Sequence, residues 1–211
     1  MILILSGMIG SGKTSLAKIL AKHYKICVFD EPVKNNKILP LFYKNPRKYA
    51  YQLQCFFSKK RFNDMKNALS FKNGILDRSI YEDEMFFSTM SSTFNCDSLE
   101  QKMYKKYLNE LINNLPDGRP DLLIYLDISY KTAIKRIEKR GRPYESPEHF
   151  PYLNSYYKKL LKNYYNWFNY YKYSDKIKIN VDNIDFVNKI KDKQAVLSLI
   201  DNKINKINLS N

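Results

Sequence analysis

The chain has 211 residues, 44% of them hydrophobic and 27% charged, which fills the core of one domain and excludes a disordered tail protein. Its 36 Lys and Arg against 21 Asp and Glu leave a formal charge of +15, so binding to nucleic acid or an anionic membrane is a class to test. Only seven of the 36 are arginine, at 47, 61, 78, 119, 136, 140 and 142, amid abundant Lys, Asn, Ile and Tyr, as AT-rich coding would produce. The arginines are therefore the residues to explain. Cys27, Cys55 and Cys96 show no CxxC spacing, which argues against a disulfide framework or zinc knuckle and for a reducing, cytoplasmic setting. The apolar opening at residues 1–5 is too short for a signal-peptide core, and no apolar run approaches a membrane span.

Short apolar, β-branched runs at 2–5, 26–29, 74–76, 122–126 and 177–181 are separated by stretches of helical periodicity. This alternation predicts an α/β fold, a five-stranded parallel sheet with helices on both faces, in a single domain spanning 1–211. Directly after the first run comes Gly7-Met8-Ile9-Gly10-Ser11-Gly12-Lys13-Thr14, the full GxxxxGK[ST] pattern between a strand and a helix. Its glycines let successive N–H groups face one concavity and, with the positive end of the helix, hold nucleotide phosphates. Lys13 would reach the β and γ phosphates and Thr14 would ligate Mg²⁺, so ATP or GTP binding is expected. A GTPase needs an NKxD stretch, and the nearest string, Asn188-Lys189-Ile190-Lys191-Asp192, is one residue too long. A motor or regulatory ATPase usually needs more chain. A small P-loop kinase fold remains.

The second strand leads into Asp30-Glu31-Pro32-Val33, placing Glu31 at the rim where ligands sit in parallel sheets, able to take a proton from an attacking hydroxyl. The third leads into Asp77-Arg78-Ser79: Asp77 can help hold Mg²⁺, and Arg78 can pair with Glu31 or the transferring phosphoryl group. A helix capped by Asp97, with Glu100 three residues on, carries Leu99, Met103, Leu108, Leu111, Ile112 and Leu115 as its apolar stripe, and Pro116-Asp117-Gly118 closes it. Another follows Ser129 and stops at Gly141 and Pro143. Its Arg136 and Arg140 lie one turn apart, and with Arg142 three guanidiniums can converge on a polyphosphate. The tyrosine-rich stretch 152–173 could stack single-stranded nucleic acid, but its helical spacing fits an apolar helix face or a subunit interface better. From Asp182 onward the chain reads as a last amphipathic helix without recognisable chemistry.

Together GMIGSGKT, DEPV, FYKNP followed by Gln54, DRSIYED and RGRPYE resemble the deoxynucleoside kinase family, most of all bacterial deoxyadenosine and deoxyguanosine kinases, over residues 1–167. Thymidylate kinases share the P-loop and an EP dipeptide but go on to DRY, where this chain has Ser79. The resemblance implies Glu31 as general base on a 5′-hydroxyl, Arg78 as the arginine steadying base and phosphoryl group, and an arginine-rich lid of Arg136, Arg140 and Arg142. It implies that Tyr43 and Glu145 bind the 3′-hydroxyl, that Gln54, Arg61 and Asp83 surround the nucleobase, and that the protein is a homodimer. Gln54 and Arg61 are seven residues apart, almost two helical turns, so they share a face; Gln52 would instead pair with Lys59.

An Arg61–Asp83 pair beside an amide suits a purine edge, with deoxycytidine a weaker substrate, and leaves a buried pair unsatisfied by thymine. The expected activity is γ-phosphoryl transfer from ATP or another nucleoside triphosphate, with Mg²⁺, to a purine deoxynucleoside, without nucleic-acid or membrane partners. The alternatives are a nucleoside monophosphate kinase of the thymidylate kinase type and, from another class, a nucleic-acid-binding P-loop protein using the +15 charge.

Overall fold

The computed structural model describes every residue except Pro32, Lys34, Asn35 and Asn211, with Ser210 by its backbone alone; Pro32 of the DEPV motif lies outside the described residues. Strands β1 (Ile2–Gly7), β2 (Val28–Phe29), β3 (Gly74–Asp77), β4 (Leu122–Asp127) and β5 (Asp175–Asn180) form one parallel sheet in the order β2-β3-β1-β4-β5. The period-two rule divides β1 between two cores. Leu3 and Leu5 join Leu16 and Leu20 of α1 (Lys13–Tyr24), whereas Ile2 and Ile4 join Met65, Ala68 and Leu69 of α3 (Pro46–Phe71). Both faces of β1 are covered, which is why its sequence is continuously apolar instead of alternating.

The edge strands depart from expectation. The run 26–29 contributes only Val28 and Phe29 to pairing, with β3. Strand β5 starts at Asp175 and buries Ile179 alone among its residues, as a half-exposed edge does.

Seven further helices cover the sheet or extend from it: α2 (Ile38–Lys44), α3, α4 (Asp83–Phe94), α5 (Ser98–Asn113), α6 (Tyr130–Arg140), α7 (Leu153–Tyr170) and α8 (Ile190–Ser210). Their ends follow local chemistry. The Asn45 side chain accepts from Lys48 N ahead of α3, with Pro46 in its first turn; Asp97 accepts from Leu99 N ahead of α5; and Ser129 accepts from Thr132 N ahead of α6. Gly141, at φ 70°, ends α6.

The α5 stripe is narrower than predicted. Tyr104 and Leu108 are buried, but Leu99 and Met103 stand 62% and 50% exposed because the first turns overhang the core. In α7, Tyr156, Tyr157, Leu160 and Tyr164 are fully buried at helical spacing, and with Tyr171 half of the tyrosines in the run are core; Tyr165, Tyr170 and Tyr173 remain outside. The expected helix from Asp182 begins only at Ile190. Residues 182–189 form a loop held by Asp185, whose carboxylate accepts from Asn188 N, and by Asp192, which accepts from Asp185 N. No described helix is long and apolar enough to cross a membrane.

Candidate active site

A cavity of about 690 Å³ opens where β1, β2 and β3 end, the position at which parallel α/β sheets take ligands. Its floor is the phosphate loop. Gly10 and Gly12 have φ of +84° and +99°, and a Cβ would meet Ala133 O at 2.8 Å or Phe186 Cζ at 2.9 Å respectively. Gly12→Ala is thus expected to weaken nucleoside triphosphate binding by at least about tenfold, since such backbone strain costs ~1–3 kcal/mol. Titration calorimetry checks it, and an unchanged Kd would show that the loop tolerates a side chain there. The Lys13 ammonium curls back onto Gly7 O and Met8 O, each at 3.0 Å. Burial, reinforced by Arg78, brings its pKa down to about 7, a state that phosphate oxygens would reverse.

Glu31, two residues beyond β2, is gripped by two guanidiniums: Arg61 Nη2 at 2.7 Å and Arg78 Nε at 2.9 Å. Both lie nearest Oε1, Arg61 through a hydrogen bond and Arg78 Nε as an ion pair without hydrogen-bond geometry; among the described residues no hydrogen bond to Oε2 is present. Burial alone would raise the Glu31 pKa, but Arg78, Arg61 and Lys13 outweigh it and hold the carboxyl below its usual range. Arg61 also binds Asp83, and Ser58 Oγ donates to Asp83 at 2.7 Å. The arginines lie against aromatic faces, Arg61 5.0 Å from the Phe57 centroid and Arg78 4.7 Å from that of Phe86. Asp83 itself is wholly buried and does not line the cavity; it stands behind Arg61. Burial lifts its carboxyl to about 6 despite Arg61.

Gln54 and Arg61 both face the cavity from α3, whereas Gln52 is exposed. Gln54 Nε2 donates to Met90 Sδ at 3.4 Å, and its buried Oε1 has no partner among the described residues. Across the cavity, Tyr43 is buried near Tyr157, whose hydroxyl donates to the Glu145 carbonyl at 2.9 Å. The Glu145 carboxylate is bound by Arg140 and, at 3.0 Å, by Arg142. Arg136 lines the cavity too, but its guanidinium donates to three carbonyls: Ser11 O, Val181 O and Ile184 O. The three lid arginines therefore do not converge on one point here; Arg136 ties the phosphate loop to the 181–184 segment, a linkage helical spacing could not reveal.

Beside the phosphate loop, Thr14 Oγ1 donates to Asp77 Oδ2 at 2.5 Å, while the buried Asp77 Oδ1 has no partner among the described residues. A free carboxylate oxygen beside a hydroxyl fits a hard cation such as Mg²⁺, which takes one or two protein oxygens and completes its shell with phosphates and water. No cluster of three His, Cys, Asp or Glu among the described residues could hold a metal by itself.

Two groups of residues escaped the sequence reading. The loop 182–188 lines the cavity next to Gly12, with Phe186 buried against the phosphate loop. The turn-forming string Asp182-Asn183 after the last strand was its only sequence signal. Glu82 and Tyr164 are buried behind Arg78. The Ser79-x-x-Glu82 capping-box spacing could have drawn attention to Glu82.

The strand order, the phosphate loop after β1, and an acid with two arginines at the same sheet edge define a P-loop phosphotransferase. The deoxynucleoside kinase family model matches residues 3–205. The chain is 44% identical to the deoxyguanosine kinase of Lactobacillus johnsonii over 94% of its own length and 90% of the relative's. It is 40% identical to the deoxyadenosine kinase of Lactobacillus acidophilus, covering 98% and 97%. The solved deoxyadenosine kinase from M. mycoides with bound dATP superposes with a TM-score of 0.80 at 28% identity, over 97% of this chain and all of that one. The chain belongs to the deoxynucleoside kinase family. It is a nucleotide-salvage kinase, moving a phosphoryl group from a nucleotide donor to a deoxynucleoside.

Proposed function

We propose that the chain transfers the γ-phosphoryl of ATP, or another nucleoside triphosphate, to the 5′-hydroxyl of a purine deoxynucleoside, with deoxycytidine a weaker substrate. The observation that carries this reading is the buried cluster of Glu31, Arg61, Arg78 and Asp83 beside the phosphate loop. With Oε1 held by both arginines, Oε2 of Glu31 is the acceptor for the 5′-hydroxyl proton. Arg78 steadies the transferring group, and residues Gly7, Met8, Ile9, Gly10, Ser11, Gly12, Lys13 and Thr14 hold the donor phosphates. Thr14 and Asp77 hold Mg²⁺, which supplies charge neutralisation when bound.

Arg140 and Arg142 exchange Glu145 for phosphate when the lid closes, which releases the Glu145 carboxylate to pair with Tyr43 on the 3′-hydroxyl. Arg136 acts from the donor side. Gln54 and Arg61 read the base, with Asp83 fixing Arg61, and the deoxyguanosine and deoxyadenosine kinases among the relatives support a purine. One domain carries both substrates in the cytoplasm, as a homodimer to which exposed Tyr165 and Tyr170 of α7 lend apolar surface. Competing nucleoside and nucleoside monophosphate acceptors test the reading: turnover of the nucleoside supports it, and turnover of the monophosphate alone refutes it.

The pH dependence follows from the two carboxylates. Glu31 stays ionised because its pKa is depressed, whereas Asp83 takes up a proton as pH falls through about 6 and loosens its hold on Arg61. The nucleoside KM should therefore rise between about pH 8 and pH 5, and the rise should vanish in Asp83→Asn, whose KM is high throughout. Steady-state kinetics across that range check it; a wild-type KM independent of pH would refute it.

A further inference from the structure

We propose that Glu82, with Tyr164, is a positioning residue that holds Arg78 in its working conformation, an inference resting on the role assigned above to Arg78. Four non-glycine residues among those described have positive φ: Lys25, Lys72 and Asn95 cap helix C-termini, where this conformation is routine, but Arg78, at φ 78°, follows a strand. A left-handed non-glycine residue persists only where its surroundings over-determine it.

Glu82 is what over-determines Arg78. It is fully buried, and its two oxygens reach both parts of the strained turn. Oε1 accepts from Ser79 N at 3.1 Å, fixing the backbone just after Arg78. Oε2 accepts from Arg78 Nη1 at 3.1 Å, from Ser6 Oγ at 3.1 Å and from Tyr164 Oη at 2.5 Å. Arg78 Nη1 also donates to Gly7 O at 3.1 Å and to Tyr164 Oη. The carboxylate thus ties the arginine to β1 and to the core of α7, while Arg78 itself reaches the start of the phosphate loop and keeps its Nε at ion-pair distance from Glu31.

A second consequence is electrostatic. Arg78 is shared between Glu31 and Glu82, so the charge facing Glu31 is partly balanced from behind. A buried pair of this kind contributes little net stability compared with apolar packing, which leaves orientation as its use.

In Glu82→Gln the volume is kept, but an amide N–H must confront donors: Ser6, Arg78 and Tyr164 on one side, or Ser79 N if the amide is turned. We expect kcat to fall by at least about tenfold with both KM values within about threefold of wild type, because Arg78 acts on the transferring group. Tyr164→Phe should move kcat the same way by less, and it serves if Glu82→Gln does not fold. In an Arg78→Ala background either change should alter kcat by less than about twofold, since its effect runs through the missing arginine. Wild-type kcat in Glu82→Gln and Tyr164→Phe, or losses that persist undiminished in the Arg78→Ala background, would overturn the proposal. Near-normal turnover in Arg78→Ala alone would instead refute the role of Arg78 on which it stands.

Discussion

Glu31→Gln is expected to lower kcat by at least about 10²-fold, the scale of losing a positioned general base, with little change in thermal midpoint. The amide matches the carboxylate in shape but cannot take the 5′-hydroxyl proton. The fold should survive because neither arginine is orphaned: Arg61 keeps Asp83, and Arg78 keeps Glu82. Kinetics with both substrates saturating, beside a thermal melt, separate the two effects. Near-normal turnover would remove Glu31 from the chemistry, and a collapsed melting temperature would mean that it holds the cluster together.

Arg61→Ala should act on selectivity and stability at once. Without the guanidinium, Gln54 is the remaining polar reader in the base pocket, so the ratio of kcat/KM for purine over pyrimidine deoxynucleosides should fall. A site that hydrogen-bonds its ligand can discriminate by up to about 10⁴-fold, so the range to be lost is wide. Stability should fall by about 3–5 kcal/mol at about pH 8, the usual effect of leaving one partner of a buried ion pair uncompensated. Here that partner is Asp83, wholly buried with Ser58 as its remaining neighbour. Its folded pKa is about 6 with Arg61 present, above the ordinary 3.8, and must rise further without it. Lowering the pH therefore lets Asp83 protonate in the folded variant before it does in the unfolded chain, and part of the loss should be recovered. Denaturant melts at about pH 8 and about pH 5, with a deoxynucleoside panel, read both effects. Unchanged selectivity would remove the reason for assigning a purine to Arg61.

The contrast between what spacing revealed and what it hid has a physical basis. Strands β1 and β4 were legible because both faces are buried, leaving a continuous apolar run. The helix carrying Gln54 and Arg61 was legible because seven residues are nearly two turns, and both side chains lie on its buried face. The phosphate loop combined a local pattern with its required strand and helix.

Other features depend on tertiary contacts without a period. Helical spacing places Arg136 beside Arg140, yet its guanidinium spans to Val181 and Ile184, 45 and more residues away in sequence. The polar loop 182–189 is indistinct from the last helix in sequence because Asp and Asn carry no hydrophobic pattern, although Asp185 and Asp192 shape it where it lines the cavity. Glu82 is obscure for the opposite reason: beyond its capping-box spacing to Ser79, a carboxylate inside the core contradicts the expectation for its residue type and becomes intelligible with Arg78, Tyr164 and Ser6 around it.

The central claim is tested most directly by offering the purified protein each of the four deoxynucleosides with ATP and Mg²⁺ and identifying the products. The account predicts 5′-monophosphates of deoxyguanosine, deoxyadenosine or both as the main products, less from deoxycytidine and essentially none from thymidine. Preferential phosphorylation of thymidine, or no transfer to any nucleoside, would contradict it.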